Sequence, residues 1–369
     1  MKILVLWSDP EAPNLGVQAL ANGARLLAQA SYPNADVEYA TFGGSPEAYS
    51  LGARMCLRDA TRVDPALRNQ LSQYDLVLDT GAGDSFTDIY GHRRLATILY
   101  VRQAARRLGI PVVIAPQTIG PFRSRVARHL AARSLQSADL VLTRDSVSAS
   151  LVHSWGISNV VESSDLVFAL GTEKPYGDHD IILNVSGLLW HENPHVNHVH
   201  YRASITTLVR GLQERGRRVT ALPHVLSNSS VDDDSAILPD VATIANEVAT
   251  PNDLREARAI IGGAQLVIGA RMHACLNSLS QGVPAIPWAY SRKFTPLLAD
   301  LGWANVVELQ SAQGEPAVET LALIDGFGPQ MSGLAGDVRK AGVLRLSRAQ
   351  AALSSLKILT GESKGPVRG

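Results

Sequence analysis

Residues 266–274 read LVIGARMHA, an apolar run that ends at a glycine and passes into a polar turn. We predict a strand at Leu266–Gly269 and a helix at Ala274–Gln281. Short apolar runs alternate with longer amphipathic stretches in the same way along most of the chain. This alternation is typical of βαβ units and predicts parallel sheets covered by helices.

The alternation falls into two halves. In the first half, strands are predicted at Ile3–Trp7, Val37–Thr41, Leu76–Asp79, Val112–Pro116 and Leu140–Thr143, and helices at Val17–Ala30, Ala96–Leu108, Arg125–Leu135 and Val147–Trp155. Residues 171–180 are rich in Gly, Pro and charge, which indicates a linker. In the second half, strands are predicted at Ile181–Val185, Val219–Leu222, Leu266–Gly269, Ala285–Trp288 and Val306–Leu309, and helices at Tyr201–Glu214, Asp253–Ile261, Ala274–Gln281, Lys293–Leu301 and Val338–Leu359.

The sequence therefore predicts an α/β protein with two Rossmann-like, doubly wound domains facing a cleft. We expect an N-terminal domain over residues 1–172 and a C-terminal domain over residues 173–335. Residues 336–369 are expected to form a helix that packs back on the first domain, followed by a frayed polar tail at Thr360–Gly369. Ligands of such sheets bind at the carboxyl ends of the strands, so the loops after strands are the candidate site.

Bulk composition excludes several classes of protein. The chain has 369 residues, 34 basic and 34 acidic side chains and a formal net charge of zero, so its composition gives no sign of nucleic-acid binding. Its two cysteines, Cys56 and Cys275, are far apart and lack metal-ligand spacing, which favours a reducing compartment and argues against a zinc site. We expect a cytoplasmic protein without a transmembrane segment, located at the inner face of the membrane if its substrate is lipid-linked.

Two glycine loops are candidate binding loops. Asn14 and Gly16 precede the first predicted helix, where free backbone N–H groups can hold an anion; a capped turn explains them equally well. Gly81 and Gly83 follow the strand that ends at Asp79 and allow a ligand close to the backbone. In the same loop, Asp84 and Asp88 are cleft residues or simple caps of the next helix, and the cap is the favoured interpretation for Asp88.

Two more strand ends carry polar side chains. Gln117 follows Val112–Pro116, and either points into the cleft or satisfies local backbone groups. Arg144 follows Leu140–Thr143, and its guanidinium either binds a carboxylate or phosphate or pairs with Asp145 or another neighbour.

Arg271 and His273 form the most informative pair. They lie where a strand ends and a helix begins, so an arginine fork, an imidazole and the helix N-terminus converge on one place. This combination suits a compact dianion, whereas a lone histidine is more often structural.

The remaining candidates come from three other strand ends or loops. Tyr290 and Lys293 follow Ala285–Trp288, and His224 follows Val219–Leu222. The histidine-rich segment 191–200 fits no standard metal motif, and Pro194 disfavours a regular helix through it, so we expect a loop over the cleft and no metal site.

Taken in order, these loops resemble the polysaccharide pyruvyl transferase family. The most specific part is Gly269–His273 followed by Gly282-Val283-Pro284 and Tyr290–Lys293, and the segments Pro116–Phe122 and Thr143–Ser146 support it. The chain departs from the family at Thr80–Gly83, where many relatives carry three consecutive glycines.

The resemblance implies a fold similar to glycosyltransferase type B, with phosphoenolpyruvate as donor and a pyruvate ketal on a glycan as product. In such an arrangement the N-terminal domain, residues 1–172, is expected on the acceptor side and the C-terminal domain, residues 173–335, on the donor side. By position, Arg144, Arg271 and His273 look like the family's donor-binding and catalytic residues, and Lys293 is a further donor-binding candidate. We hypothesise that His273 is the general acid; Asp79, Asp84 and His224 are candidates for the base. No cofactor is expected beyond phosphoenolpyruvate as co-substrate, and the acceptor is a sugar or glycan, free or linked to a lipid or nucleotide.

Two other functions fit the same features. A nucleotide-sugar-dependent glycosyltransferase of the same architecture would bind a nucleoside diphosphate. A non-catalytic relative would bind a glycan or an anion without turnover.

Overall fold

The computed structural model describes residues 1–226, 232–291, 293–310, 314–328 and 330–358. Arg292, the final residue of the predicted helix at Leu359 and the predicted frayed tail Thr360–Gly369 lie outside them. Contacts divide the chain into two compact units: unit 1 comprises Met1–Glu11, Leu20–Ala169 and Val343–Gly369, and unit 2 comprises Ala12–Ala19 and Leu170–Gly342. Asn14 and Gly16 therefore belong with unit 2.

Both units are built from parallel strands joined by helices. The strands are β1 (Lys2–Leu6), β2 (Asp36–Thr41), β3 (Ala48–Ser50), β4 (Leu76–Asp79), β5 (Val112–Gln117), β6 (Leu140–Thr143), β7 (Val160–Glu162), β8 (His179–Asn184), β9 (Val219–Ala221), β10 (Glu247–Val248), β11 (Ala264–Gly269), β12 (Ala285–Ala289) and β13 (Val307–Glu308). The helices are α1 (Leu15–Ser31), α2 (Ala53–Ala60), α3 (Ala66–Leu71), α4 (His92–Arg107), α5 (Arg125–Gln136), α6 (Ser146–His153), α7 (Gly187–Trp190), α8 (His198–Glu214), α9 (Leu238–Val241), α10 (Leu254–Gly262), α11 (Met272–Leu279), α12 (Phe294–Asp300), α13 (Pro316–Asp325) and α14 (Gln330–Ser354). Short 3₁₀ helices occur at Leu166–Ala169 and Ser235–Ile237.

The sheet of unit 1 has the order β3-β2-β1-β4-β5-β6-β7, and that of unit 2 has the order β10-β9-β8-β11-β12-β13. Every pairing within the two sheets is parallel. In both, the order reverses beside the first strand of the unit, which is the Rossmann pattern. The predicted fold class of two doubly wound α/β domains is confirmed.

Continuous apolar strands explain why the sheets are buried on both faces. In unit 1, β4 reads LVLD and all four residues are buried. In unit 2, Leu266 to Gly269 of β11 are buried under helices of the second core. Such runs suit parallel strands, which are covered by helices on each side.

Side-chain caps fix several helix starts. The Ser124 hydroxyl accepts from the backbone N–H of Ala127, and the Asp145 and Asp253 carboxylates cap α6 and α10 in the same way. As predicted, no helix runs through residues 191–200 as a whole. Helix α7 ends at Trp190 and α8 begins at His198, so Pro194 lies in the loop between them.

The structure corrects some local expectations. Asp88 does not cap α4, whose N-cap is Gly91; its carboxylate instead accepts from the backbone N–H groups of Arg123 and Ser124. The last helix begins at Gln330, eight residues before the predicted Val338, since two glycines weaken the apolar pattern of its first turns. Val343–Gly369 belongs with unit 1, where the Tyr32 hydroxyl donates to the carbonyl of Leu353 at 2.6 Å.

Candidate active site

Unit 2 gathers seven of the predicted site residues, and unit 1 the other six. In unit 2 these are Asn14, Gly16, His224, Arg271, His273, Tyr290 and Lys293. In unit 1 they are Asp79, Gly81, Gly83, Asp84, Gln117 and Arg144.

Neighbouring strands of unit 2 end side by side. Gly269 at the end of β11 pairs with Asn184 of β8 and with Pro287 of β12, and Leu183 pairs with Ala221 of β9. The residues that follow these strands therefore meet at one edge of the sheet. Arg271, His224 and Tyr290 all follow such strand ends.

Asp234 organises this edge, although the sequence did not single it out. One carboxylate oxygen accepts from the backbone N–H of Gly187 at 2.8 Å and from Arg271 Nη2 at 2.7 Å. The other accepts from the backbone N–H groups of His224 and Val225 at 3.0 and 3.1 Å. Asp234 is fully buried, so this carboxylate holds the loop after β9 and the arginine after β11 together.

The guanidinium of Arg271 is held by two carboxylates. Besides Asp234, Asp232 accepts from Arg271 Nη1 at 2.7 Å, and the backbone N–H of Arg271 donates to Asn184 Oδ1 at 3.0 Å. Burial acts to lower the pKa of Arg271, but the charges and hydrogen bonds of Asp234 and Asp232 prevail and raise that pKa above its ordinary value. Arg271 is thus a permanently charged, fixed group.

His273 lies one residue inside α11 and is half-buried. A Cβ atom on Gly16 would approach its Nδ1 to 2.7 Å, so only glycine fits there without displacing the ring. The backbone N–H of Gly16 donates to Asn14 Oδ1 at 2.9 Å, which fixes the turn beside the ring. The predicted loop of Asn14 and Gly16 therefore acts as a support for His273.

His224 differs from His273 in its surroundings. It is fully buried, and its pKa lies well below the ordinary value because of burial and the positive charges of His273, Arg271 and Arg258. Its Nε2 is 3.0 Å from Asn277 Nδ2. His224 is accordingly neutral.

Two residues missed by the sequence analysis fix the orientation of that contact. Arg258 Nη1 donates to Asn277 Oδ1 at 2.6 Å, so the Asn277 amide must present Nδ2 to His224 and His224 Nε2 must accept. The proton of neutral His224 then lies on Nδ1, and no lone pair of this ring is left for a substrate. Burial lowers the pKa of Arg258 to about 10. A polar Asn in the largely apolar helix α11 was the only sequence signal.

Tyr290 and Lys293 lie beside the histidine-rich segment. The rings of Tyr290 and His195 are 5.3 Å apart, and Tyr290 also contacts Phe294 edge to face at 5.6 Å. Burial and, second, the charge of Lys293 lower the pKa of His195. Among the residues that the structure describes, no three His, Cys, Asp or Glu side chains are placed to hold a metal ion.

The glycine loop of unit 1 follows β4. Gly81, Ala82 and Gly83 all have positive φ, of 54°, 50° and 81°. A Cβ on Gly81 would overlap Gln117 Oε1 at 1.7 Å. Ala82 thus adopts a left-handed conformation that glycine tolerates best, at the position where this chain departs from the run of three glycines.

Asp79 and Gln117 hold this loop in place through buried hydrogen bonds. The buried Asp79 carboxylate accepts from Arg102 Nε at 2.6 Å and from the backbone N–H of Gly81 at 2.7 Å. Gln117 Nε2 donates to the carbonyl of Asp79 at 2.7 Å. Asp79 is therefore engaged by a buried arginine and does not suit the role of base. The Nε2 group of Gln117 satisfies local backbone, while its Oε1 has no hydrogen-bond partner among the described residues.

Arg144 is buried beneath the same loop. Nη1 pairs with the buried Asp165 at 3.0 Å, and Nε donates to Thr118 Oγ1 at 2.8 Å. The ion-pair partner is thus Asp165 and not the adjacent Asp145, which caps α6. Nη2 is buried and has no hydrogen-bond partner within the described residues. A Cβ on Gly83 would lie 3.6 Å from Nη1.

The sequence profile of the polysaccharide pyruvyl transferases matches residues 14–292, a span that includes every candidate residue except Lys293. The chain belongs to the polysaccharide pyruvyl transferase family. This is a family of transferases, and its match confirms the resemblance found in the sequence. The amylovoran biosynthesis protein AmsJ of Erwinia amylovora is 24% identical over 260 residues, which cover 63% of this chain and 61% of AmsJ.

Solved structures of similar fold support the predicted likeness to glycosyltransferase type B. S. aureus MnaA, determined with UDP, has a TM-score of 0.62 and 15% identity, and the match covers 94% of each chain. The UDP-GlcNAc 2-epimerase of Neisseria meningitidis has a TM-score of 0.60 and 12% identity, covering 96% of this chain and 99% of the epimerase. Anabaena Alr3699/HepE, solved with UDP-glucose, has a TM-score of 0.55 and 11% identity over 96% of this chain and 100% of its own. At these identities the likeness concerns the fold alone.

Proposed function

We propose that this protein transfers a pyruvyl group from phosphoenolpyruvate to a sugar of a glycan, forming a pyruvate ketal and releasing phosphate. The observation that carries the proposal is the unlike pair of histidines beside Arg271, in a chain of this family. One ring is buried and held neutral, and the other is half-buried beside a fixed guanidinium.

The donor's chemistry sets what the site must supply. A proton is added to the methylene carbon of phosphoenolpyruvate, which leaves an oxocarbenium-like centre at the neighbouring carbon. One sugar hydroxyl attacks that carbon and loses its proton. The carbon–oxygen bond to phosphate breaks, and a second hydroxyl of the same sugar closes the ketal. The balance is one proton gained by the new methyl group and one taken up by the phosphate.

His273 is the general acid in this proposal. His224 is unsuited because Asn277 occupies its lone pair and its proton is retained on a buried ring. In acid–base catalysis, two neighbouring titratable groups often lie in different environments, so that their pKa values differ. Arg258 and Asn277 act as positioning residues that keep His224 neutral beside His273.

In this proposal Arg271 binds the donor after releasing one of its two carboxylate partners. Its contacts to Asp234 are buried, whereas the side chain of Asp232 is 36% exposed. We infer that the donor replaces Asp232 at Nη1 of Arg271, while Asp234 keeps the guanidinium in place. A bidentate guanidinium suits the carboxylate or phosphate of phosphoenolpyruvate.

Arg144 supplies a second anion contact through Nη2, the atom that lacks a partner among the described residues. Lys293 is proposed as an additional positive charge for the donor. Gly81, Gly83, Gln117 and Tyr290 are proposed to contact substrate.

Asp84 is the remaining candidate for the base. Asp79 is engaged by Arg102, and His224 by Asn277, whereas Asp84 is only half-buried and accepts a hydrogen bond from the Tyr90 hydroxyl at 2.9 Å. We propose that it removes the proton of the attacking sugar hydroxyl.

Phosphoenolpyruvate is the sole co-substrate in this scheme, and the acceptor is a free, nucleotide-linked or lipid-linked sugar. Both cysteines are buried free thiols, which supports placing the protein in the cytoplasm. None of the helices described here has the length and apolar character needed to span a bilayer.

The test combines phosphoenolpyruvate with a panel of hexose and N-acetylhexosamine glycosides in D₂O. We expect phosphate release together with a new ketal methyl resonance that carries one deuterium from solvent. His273→Gln should abolish both signals, whereas Arg210→Gln, on an exposed helix surface, should leave them unchanged. Consumption of a UDP-sugar without any use of phosphoenolpyruvate would contradict the proposal and support a glycosyltransferase.

A further inference from the structure

The stretch from residue 89 to residue 138 contains nine arginines and no Asp or Glu. Acidic residues make up 34 of the 369 in the chain, so fifty consecutive residues without one are an unusual segregation of charge. The net charge of zero conceals this asymmetry. Most of these arginines lie on α4 and α5, which pack side by side on one core of unit 1.

The starts of these two helices form one continuous surface. Asp88 accepts from the backbone N–H groups of Arg123 and Ser124 at 2.9 and 2.8 Å, and the Thr87 hydroxyl donates to the carbonyl of Pro121. The loop before α4 is thereby tied to the loop before α5.

That surface is both basic and apolar, and we name it the α4–α5 face. Its exposed arginines are Arg93, Arg123, Arg125 and Arg128. The same helix starts carry large apolar side chains that are well exposed: Ile89 at 42%, Tyr90 at 48%, Val126 at 67% and Leu130 at 47%. Single exposed apolar residues are ordinary, but a group of four among arginines indicates an interaction surface.

We propose that the α4–α5 face docks the protein on an anionic phospholipid bilayer. Arginines bind the headgroup phosphates, while valine, leucine, isoleucine and tyrosine enter the interface between headgroups and acyl chains. A soluble polyanion such as a nucleic acid would account for the arginines but not for the exposed apolar side chains.

The position of the face suits this role. Its loops follow β4 and β5, so they lie at the carboxyl-end edge of the unit 1 sheet, where the glycine loop of Gly81 and Gly83 is also found. A sugar carried by a membrane lipid would be presented at that edge. The docking proposal itself does not depend on pyruvyl transfer, because it concerns binding to lipid alone.

The test is co-sedimentation of the full chain with vesicles of phosphatidylglycerol mixed with phosphatidylcholine, and with vesicles of phosphatidylcholine only. We expect sedimentation with the anionic vesicles alone, and weaker binding as salt rises. Arg125→Glu with Arg128→Glu should lower the apparent affinity about tenfold or more. The matched control is Arg210→Glu with Arg255→Glu in unit 2, the same change of charge at exposed positions, which should leave binding unchanged.

A second pair of variants tests the apolar part of the face. Val126→Ser with Leu130→Ser keeps every charge and should reduce vesicle binding, most clearly at high salt. The proposal is overturned if the wild-type protein fails to sediment with anionic vesicles at low salt. It is also overturned if the serine variants bind as the wild type does while dextran sulfate competes fully, since the face would then be a general polyanion surface. Circular dichroism of each variant establishes that it is folded.

Discussion

Arg144 and Arg271 each follow a buried parallel strand, yet their guanidinium groups are held differently. Arg144 has one carboxylate partner, the buried Asp165, and its Nη2 has no partner among the described residues. Arg271 is bound by Asp234 and Asp232 through Nε, Nη1 and Nη2. The comparison teaches that unit 1 holds a buried N–H group without an acceptor among the described residues, whereas in unit 2 an anion would have to replace a carboxylate.

The largest expected effect concerns the two buried carboxylates. Asp234→Ala should lower the free energy of unfolding by about 3–5 kcal/mol, because it removes the buried charge partner of Arg271 and the acceptor of three backbone N–H groups. Asp165→Ala should cost less, since Asp234 joins the loops that follow β8, β9 and β11, whereas Asp165 accepts from Arg144 and from the backbone N–H of Val167. Urea unfolding of both variants measures the difference. Equal losses would show that Asp234 does not organise the unit 2 edge.

The two histidines provide the next comparison. His273→Gln should lower the turnover of phosphoenolpyruvate at least ~100-fold, because a positioned general acid contributes roughly that much. His224→Gln should cost about tenfold or less, since the glutamine carbonyl can still accept from Asn277. Steady-state phosphate release measures both. A larger loss for His224→Gln than for His273→Gln would reverse the assignment.

Asn277→Asp tests how His224 is kept neutral. A carboxylate can only accept, so it should place a second proton on His224, and the resulting charge should oppose a proton on His273. Histidine ¹⁵N spectra should change from the neutral Nδ1–H form of His224 to its imidazolium, with turnover reduced several-fold. Ser280→Ala, which removes the other acceptor of Arg258 Nη1, should leave the His224 signals unchanged. Imidazolium signals of His224 in the wild type near neutral pH would contradict the account.

The depressed pKa of His224 also predicts a pH dependence of stability. The unfolded chain takes up a proton near pH 6.5, whereas the folded chain does so only at lower pH. Stability is therefore complete above that pH and falls as pH decreases below it, by up to about 1.4 kcal/mol per pH unit. Urea unfolding between pH 5 and 7.5 should show this slope in the wild type and a smaller one in His224→Gln. Identical slopes would contradict the burial of a neutral ring.

The smallest effect is expected at Ala82, in the glycine loop of unit 1. Its φ of 50° is costly for a residue with a Cβ. Ala82→Gly should raise the free energy of unfolding by about 0.5–1 kcal/mol after the added entropy of glycine is subtracted. A loss of stability on this change would mean that the methyl group packs usefully.

The sequence predicted the fold well because fully buried, continuously apolar strands such as Leu76–Asp79 have a strong local signal. It missed the edge strands β3, β7 and β10, which have three, three and two residues, and the short helices α2, α3, α7 and α9, because short elements leave little periodicity. It also missed the ten-residue helix α13.

The sequence predicted those site residues that directly follow the ends of parallel strands. Arg271, His273 and His224 meet at one edge because their strands are neighbours. The roles of Asp234, Asn277 and Arg258 depend on contacts between residues far apart in the chain, and a sequence alone does not contain them. Asp234 reads as part of an acidic loop until its hydrogen bonds are known.

The most direct test of the account is calorimetric titration with phosphoenolpyruvate of the wild type, Arg144→Met and Asp232→Ala, with UDP as the control ligand. We predict saturable binding to the wild type, weaker binding to Arg144→Met by about tenfold, and tighter binding to Asp232→Ala, since the competing carboxylate is gone. Binding of UDP without binding of phosphoenolpyruvate, or equal donor affinity in all three proteins, would contradict it.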